Sequence, residues 1–312
     1  MSAVKSSTAT GTIATAEACT PGLKAGRYRG RFAPSPTGLL HHGSLVAALA
    51  SWLDARRNHG VWLLRIEDLD AGRIVPGAAD AILRTLDSLG LNADEPLIRQ
   101  SGRTDLYQAA LERLQCNGFA YRCICSRSGE PGVYSGRCRR NPAPPGPAAW
   151  RFAMNADDRI DFDDGFQGRC HFDAARLGDP VIFRRDGIAA YQLAVVVDDA
   201  DQGITHVVRG ADLLDSTGWQ LRIGAALGVP TPHFAHIPLV TGPGGEKLAK
   251  SRSAPAVADL PPGEALTTAL RLLDYTVPDE LARAPVTQIL EWALAAWPPA
   301  SLRGRASVAL PT

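Results

Sequence analysis

The sequence predicts an α/β protein built on a parallel sheet, and three observations lead there. An apolar strand at residues 28–32 runs into a Pro/Gly loop and then into a helical pattern. A second apolar run, Val61–Ile66, follows that helix directly, which makes a β-α-β unit with parallel strands and a right-handed crossover. Further apolar runs at 150–154, 181–185, 189–197, 206–214 and 234–240 read as strands, with helical patterns between some of them.

The first loop carries the most information. It reads Arg31-Phe-Ala-Pro-Ser-Pro-Thr-Gly38, then Leu-Leu-His41-His42-Gly43-Ser44. Pro34 and Pro36 stiffen the exit from the strand, and Gly38 frees the backbone to turn. Leu45, Leu49, Trp52 and Leu53 then recur at i, i+4, i+7 and i+8, with Ser44 as the expected N-cap and Gly60 beyond the end. A glycine-containing loop at a helix N-terminus, with two imidazoles beside it, offers donors and partial positive charge to a phosphate. Taken alone, it is more often an ordinary turn before a helix.

Bulk properties narrow the field. The chain has 312 residues, 45% of them hydrophobic and 21% charged, with a net charge of +1. No global basic field points to nucleic acid, so any such contact must use a local patch. No apolar run is long enough to span a membrane, and residues 1–26 lack the apolar stretch of a secretory signal, so a cytoplasmic protein with a disordered N-terminal extension is expected.

Six cysteines (Cys19, Cys116, Cys123, Cys125, Cys138 and Cys170) do not form a disulfide framework. Cys123, Cys125 and Cys138 cluster, and Cys-x-Cys on an extended segment points both thiols one way. A tetrahedral zinc needs a fourth ligand, and Tyr134 is the local candidate. Spacing alone fits either zinc or buried thiols.

The remaining elements follow in order. Helices are expected at 76–89 and 103–115, the latter started by Ser101. Residues 155–180 read as short strands and turns in an inserted module. The run 189–197 continues to Asp198 and Asp199 and reads as a strand; 206–214 is a strand ending in Arg209-Gly210. Asp215, Ser216 and Thr217 should cap a helix bearing Trp219, Ile223 and Leu227 and closed by Gly228. Helices at 266–273 and 286–297 precede a loose tail after Pro299. Glu67, at the carboxyl end of the second strand, sits where ligands of α/β sheets bind, and is either a solvated acid or a partner for an ammonium group. Lys247-Leu-Ala-Lys250-Ser251 follows a Gly-rich loop; it is either a solvated basic loop or a mobile phosphate clamp.

Two stretches together carry a resemblance. The first loop with its His-x-Gly-Ser, and Lys-Leu-Ala-Lys-Ser downstream, resemble the two signatures of class I glutamyl-tRNA synthetases. The similarity covers roughly residues 27–256 and is greatest to the truncated branch of that family, which glutamylates queuosine in the anticodon of tRNA(Asp). The resemblance implies a Rossmann-type catalytic domain in two halves, 27–120 and 181–256. An inserted zinc-bearing module at 121–180 and a short helical tail at 257–312 without an anticodon-reading domain complete it. It implies ATP contacts at Pro34, Gly38, His41, His42, Gly43, Ser44 and Lys250, with His41, His42, Lys247 and Lys250 as catalytic groups. It implies a glutamate site at Arg31, Phe32, Ala33, Pro34, Ser35, Glu67, Tyr191 and Arg209, with the two arginines for the two carboxylates. It also implies one structural zinc on Cys123, Cys125, Tyr134 and Cys138, Mg²⁺ with ATP, and tRNA(Asp) bearing queuosine as the partner of a monomer. Two departures stand out: Ala249 for the usual Ser, and Gly218-Trp219 for the usual Pro-Arg. A conventional glutamyl-tRNA synthetase and a non-catalytic zinc-containing RNA-binding protein are the alternatives.

Overall fold

The computed structural model describes residues 27–125, 133–242 and 256–309. Strand β1 (Arg29–Phe32) leads to helix α1 (His42–Arg57) and strand β2 (Val61–Ile66), which pairs in parallel with β1. Helix α2 (Ala78–Ser88) returns the chain to β3 (Ile98–Arg99), parallel to β2. Helix α3 (Thr104–Cys116) then leaves the sheet. Alternation along β2 explains its total burial: Trp62 and Leu64 enter one core while Val61 and Leu63 enter another. Gly60 closes the α1–β2 turn against Tyr28, where a Cβ would lie 2.5 Å from the Tyr28 carbonyl oxygen.

The inserted segment is antiparallel. Strand β4 (Ala120–Cys123), the short helix α4 (Arg137–Arg140), and strands β5 (Ala149–Phe152) and β8 (Val181–Phe183) surround the cysteines, with β5 between β4 and β8. Strands β6 (Arg159–Asp164) and β7 (Gly168–Asp173) make a hairpin, followed by α5 (Ala174–Leu177).

The sheet resumes after helix α6 (Tyr191–Asp201) with β9 (His206–Gly210), helix α7 (Leu214–Leu227) and β10 (His233–Ile237), parallel to β9. Thr205 joins the two ribbons edge to edge: its N–H donates to Arg29 O at 3.0 Å and its Oγ1 accepts from Arg29 N–H at 2.8 Å. Strand β11 (Leu239–Thr241), helix α8 (Pro262–Leu272), helix α9 (Val286–Ala295) and strand β12 (Ser307–Ala309) finish the chain. One large core joins α1 to α8 and α9; a second joins α3, α6 and α7 to β5 and β8.

Several expectations fail locally. Ser101 does not cap α3 but donates to Asp68, and the strand expected at 206–214 ends at Gly210. Of the strand expected at 189–197, only Ala189 makes a β-bridge, to Phe183, and residues 191–197 belong to helix α6. Neighbouring residues of a strand point to opposite faces, whereas on α6 Ala194 with Asp198 and Val195 with Asp199 share faces, and both carboxylates are buried. The strand expected at 234–240 breaks at Pro238, and β11 pairs with β12 instead. The tail is therefore anchored, with Leu302 fully buried, rather than loose. Helix α1 is capped by His41, whose Nδ1 accepts from the Ser44 N–H at 3.2 Å, so Ser44 lies inside the helix. Helix α7 begins at Leu214 with no side-chain cap, and Thr217 is instead buried against Arg209.

Candidate active site and metal cluster

The carboxyl ends of β1, β2 and β9 bring Arg31, Glu67 and Arg209 to one region, with Tyr191 from the first turn of α6. Arg209 is 4% exposed and donates from all three nitrogens. Nε–H goes to His236 Nε2 at 2.9 Å, NH1 to Gln220 Oε1 at 2.8 Å, and NH2 to Thr217 Oγ1 at 2.8 Å. Two longer bonds of 3.3 Å run from NH1 to the Tyr191 hydroxyl and from NH2 to Leu213 O. Among the described residues every one of these hydrogen-bond partners is neutral. Burial pulls the Arg209 pKa down, as expected of a cation without an anion in contact. The two long bonds, one on each terminal nitrogen, are the ones a bidentate carboxylate can replace.

Arg31 is 4% exposed and spends its Nε and NH2 on Asp199 at 3.3 and 3.4 Å. Among the described residues its NH1 has no hydrogen-bond partner. Arg65, fully buried, holds the same carboxylate at 2.8 Å and donates to Gln202 Oε1 at 2.6 Å; Glu67 and Asp198 lie at 3.6 Å. Asp198 also accepts from Gln100, Arg103 and Tyr107. Burial works to raise the Asp199 pKa, but the Arg31 and Arg65 charges prevail and hold it low. Glu67 lacks such close bonds. Burial pushes it up to about 7, against the opposing pull of Arg65 and Arg31. A half-protonated carboxyl here can take an ammonium group by giving up its proton.

The first-loop residues surround this pocket and the start of α1. Pro34 O accepts from the Glu67 N–H at 3.0 Å, tying the two strand ends together. Phe32 is buried and stacks with Trp62 at 6.4 Å between centroids; Ala33 is half-buried and Ser35 exposed. At Gly38 a Cβ would meet nothing within 4 Å. At Gly43 it would lie 3.3 Å from the His41 ring. His41 is exposed, and its ring bonds both the backbone and the hydroxyl of Ser44. His42 is 3% exposed, and among the described residues its buried Nδ1 has no hydrogen-bond partner. Burial lowers both pKa values, which keeps these imidazoles neutral at pH 7. Lys247 and Lys250 lie outside the described residues.

The cysteine cluster forms as the sequence predicts. The Sγ atoms of Cys123, Cys125 and Cys138 all lie within 4.8 Å of one another, with Cys125 and Cys138 at 3.5 Å. Tetrahedral zinc with bonds of about 2.3 Å spaces sulfurs at about 3.8 Å, so the thiols fit such an ion. The Tyr134 hydroxyl lies 3.4 Å from Cys123 Sγ and 3.8 Å from Cys125 Sγ. Burial opposes ionisation of Cys138, but the Ile124 N–H and the neighbouring hydroxyl and thiols bring its thiol down to about 7. Arg151 covers the cluster, its Nε 3.3 Å from Cys123 Sγ and its guanidinium 3.8 Å above the Tyr134 ring. The Gly218-Trp219 departure has a packing reason. A Cβ on Gly218 would meet Leu177 at 2.6 Å, and Trp219 Nε1 donates to Gly178 O at 3.0 Å.

Sequence reasoning missed Arg65, Asp164, His236, Thr217 and Gln220. Only Arg65 carried a signal, being a cation inside an otherwise apolar strand.

A parallel sheet with neutral histidines at a helix start and paired cations at the strand ends defines a class I synthetase catalytic domain. The family model for class I tRNA synthetases (E and Q), catalytic domain, matches residues 27–129 and 136–281. A glutamyl-Q tRNA(Asp) synthetase of Aromatoleum aromaticum is 49% identical over 86% of this chain and 89% of its own. One from Ectopseudomonas mendocina is 52% identical over 86% of this chain and 93% of its own. Among solved structures, a glutamate tRNA ligase from Elizabethkingia meningosepticum in complex with its amino acid superposes with a TM-score of 0.76. It is 26% identical over 92% of this chain and 67% of its own. The chain belongs to the glutamyl-Q tRNA(Asp) synthetase family of aminoacyl-tRNA synthetase-type ligases.

Proposed function

We propose that the chain activates L-glutamate with ATP, without tRNA, and transfers it to queuosine at the wobble position of tRNA(Asp). The observation that carries the first step is Arg209 beside Tyr191: a buried cation whose hydrogen-bond partners among the described residues are all neutral, with two weak bonds to surrender. One glutamate carboxylate docks there, the other meets Arg31 NH1, which has no hydrogen-bond partner among the described residues, and Glu67 takes the ammonium group. The α-carboxylate attacks the α-phosphate of ATP, forming glutamyl-adenylate and releasing pyrophosphate. Positioning and charge stabilisation carry the step. His42 Nδ1 and the backbone of His41, Gly43 and Ser44 bind the nucleotide, and Lys247 and Lys250 neutralise the developing charge. Mg²⁺ accompanies ATP. Cys123, Cys125, Cys138 and Tyr134 hold one zinc ion, which cross-links the inserted module.

ATP–pyrophosphate exchange with glutamate and no tRNA tests activation; absence of exchange would discard it. Labelled glutamate offered to tRNA(Asp) with and without queuosine, beside tRNA(Glu), tests the acceptor. Label on queuosine-bearing tRNA(Asp) alone is expected, and label on tRNA(Glu) would establish ordinary aminoacylation instead.

A further inference from the structure

We propose that Asp164 and His236 are positioning residues for Arg209, so that the β6–β7 hairpin aims the cation of the glutamate pocket. This rests on the reading of Arg209 as a carboxylate ligand. Asp164 and His236 have fully buried side chains, and neither belongs to the set implied by the sequence signatures. Asp164 Oδ1 accepts from the N–H groups of Phe166, Gln167 and His236 at 2.9–3.0 Å, which fixes the carboxylate. Its Oδ2 lies 2.6 Å from His236 Nδ1. An ionised carboxylate only accepts, so Nδ1 carries the proton and Nε2 presents a lone pair. Arg209 only donates, and its Nε–H meets that lone pair at 2.9 Å. The tautomer is thus dictated from both ends. Thr217 Oγ1 lies 3.2 Å from the same Nε2 and accepts from Arg209 NH2, adding a second strut.

The anchor at Nε matters because of where it sits on the guanidinium. Held at Nε, the group turns its NH1/NH2 edge toward Tyr191. Gln220 and Thr217 already bond that edge at 2.8 Å, so without the Nε anchor the guanidinium would be positioned only by groups on the edge a carboxylate must reach. The hairpin itself is braced from outside: Gln167 Nε2 donates to His236 O at 2.8 Å and to Arg305 O at 3.0 Å.

Asp164→Asn keeps the acceptor for the backbone N–H groups but turns a donor toward Nδ1. The imidazole must then carry its proton on Nε2, donor to donor with Arg209. The expected result in pyrophosphate exchange is a KM for glutamate raised about ten-fold or more, with the KM for ATP moving less than about two-fold. His236→Gln places a carbonyl oxygen near the Nε2 position and is expected to stay within about three-fold of the parent, while the shorter His236→Asn behaves as Asp164→Asn. If Asp164→Asn does not fold, the Gln/Asn contrast at 236 decides alone. Equal KM values for glutamate in all variants, or a common loss of both KM values alongside a lower melting temperature, would overturn the proposal. Arg209→Gln separates the two ideas: if it leaves the glutamate KM unchanged, the carboxylate reading of Arg209 fails whatever the relay does.

Discussion

Two arginine centres lie at the carboxyl ends of this sheet, and they are built on opposite principles. Arg65 and Arg31 are wrapped in carboxylates, with Asp199 shared between them and Asp198 and Glu67 close by. Among the described residues Arg209 hydrogen-bonds an imidazole, an amide, two hydroxyls and a carbonyl, and its guanidinium lies 5.1 Å from the centre of the Phe234 ring. The first arrangement neutralises charge and holds the fold; the second keeps a charge unspent in a dry setting. A buried ion pair adds little over apolar packing, but removing one partner strands the rest. An unspent buried cation costs stability, and the carboxylate proposed to dock on Arg209 would offset that cost.

The sharpest way to break this contrast is to exchange the expected outcomes. Arg65→Met leaves Asp198, Asp199 and Glu67 facing one another, and should destabilise by about 3–5 kcal/mol in chemical denaturation. A loss below about 1 kcal/mol would mean that the network does not hold the fold. Arg209→Gln should fold normally and lose about 10²-fold or more in kcat/KM for glutamate, because a charge-assisted bidentate contact disappears from a desolvated site. Normal catalysis in that variant would erase the distinction between the two centres.

Glu67 lies between these centres and gives the contrast a pH axis. Its folded pKa of about 7 exceeds that of a free carboxyl, so the protonated form is favoured in the fold. The stability it contributes is complete below the unfolded pKa, near pH 4.5, and is lost as pH rises through about 7. Glu67→Gln should therefore raise the melting temperature at pH 8, with little change at pH 4, while glutamate activation collapses. In the parent, apparent glutamate affinity should improve as pH rises from about 6 to 8, since ammonium binding needs the carboxylate. A flat profile across that range would remove Glu67 from the amino-group contact.

How much of this was legible in the sequence follows from the same chemistry. The β1-α1-β2 unit was legible because its apolar residues recur with clean helical and strand periods. Arg31, Glu67, Tyr191 and Arg209 were placed by resemblance, and the fold brings them into one electrostatic neighbourhood. Helix α6 was not legible: its valine run has strand propensity, and tertiary context overrides it, with Leu193 and Ala194 in the core and Asp198 and Asp199 against the buried Arg65. His236 left no trace, because a lone histidine in an apolar strand looks the same whether it packs or relays. The cysteine cluster lies between these cases. Spacing brought the thiols together on paper, but the Arg151 lid over Tyr134 depends on β5 folding back beside β4. Cys125→Ser should lower metal content in reducing buffer and cut stability by about 2–4 kcal/mol in the metal-loaded protein; metal content and stability equal to the parent would remove the cluster from both roles.

The smallest effect belongs to the end proposed to bind the nucleotide, where neither arginine centre takes part. A Cβ on Gly43 would sit 3.3 Å from the His41 ring and 3.8 Å from Val240. The helix interior tolerates alanine, so Gly43→Ala should leave the fold intact or slightly stabilise it. The imidazole that caps α1 must shift by a few tenths of an ångström, and its bonds to Ser44 lengthen from 3.2 and 3.1 Å. The exposed N–H groups of the first turn then lose their fixed frame, while Arg209, Arg31 and Glu67 are untouched. The expected outcome is a KM for ATP raised about two- to five-fold with the KM for glutamate unchanged, the mirror image of Arg209→Gln. A shift in glutamate KM instead would show that the two ends of the pocket are mechanically coupled through the first loop, and the separation into independent centres would fail.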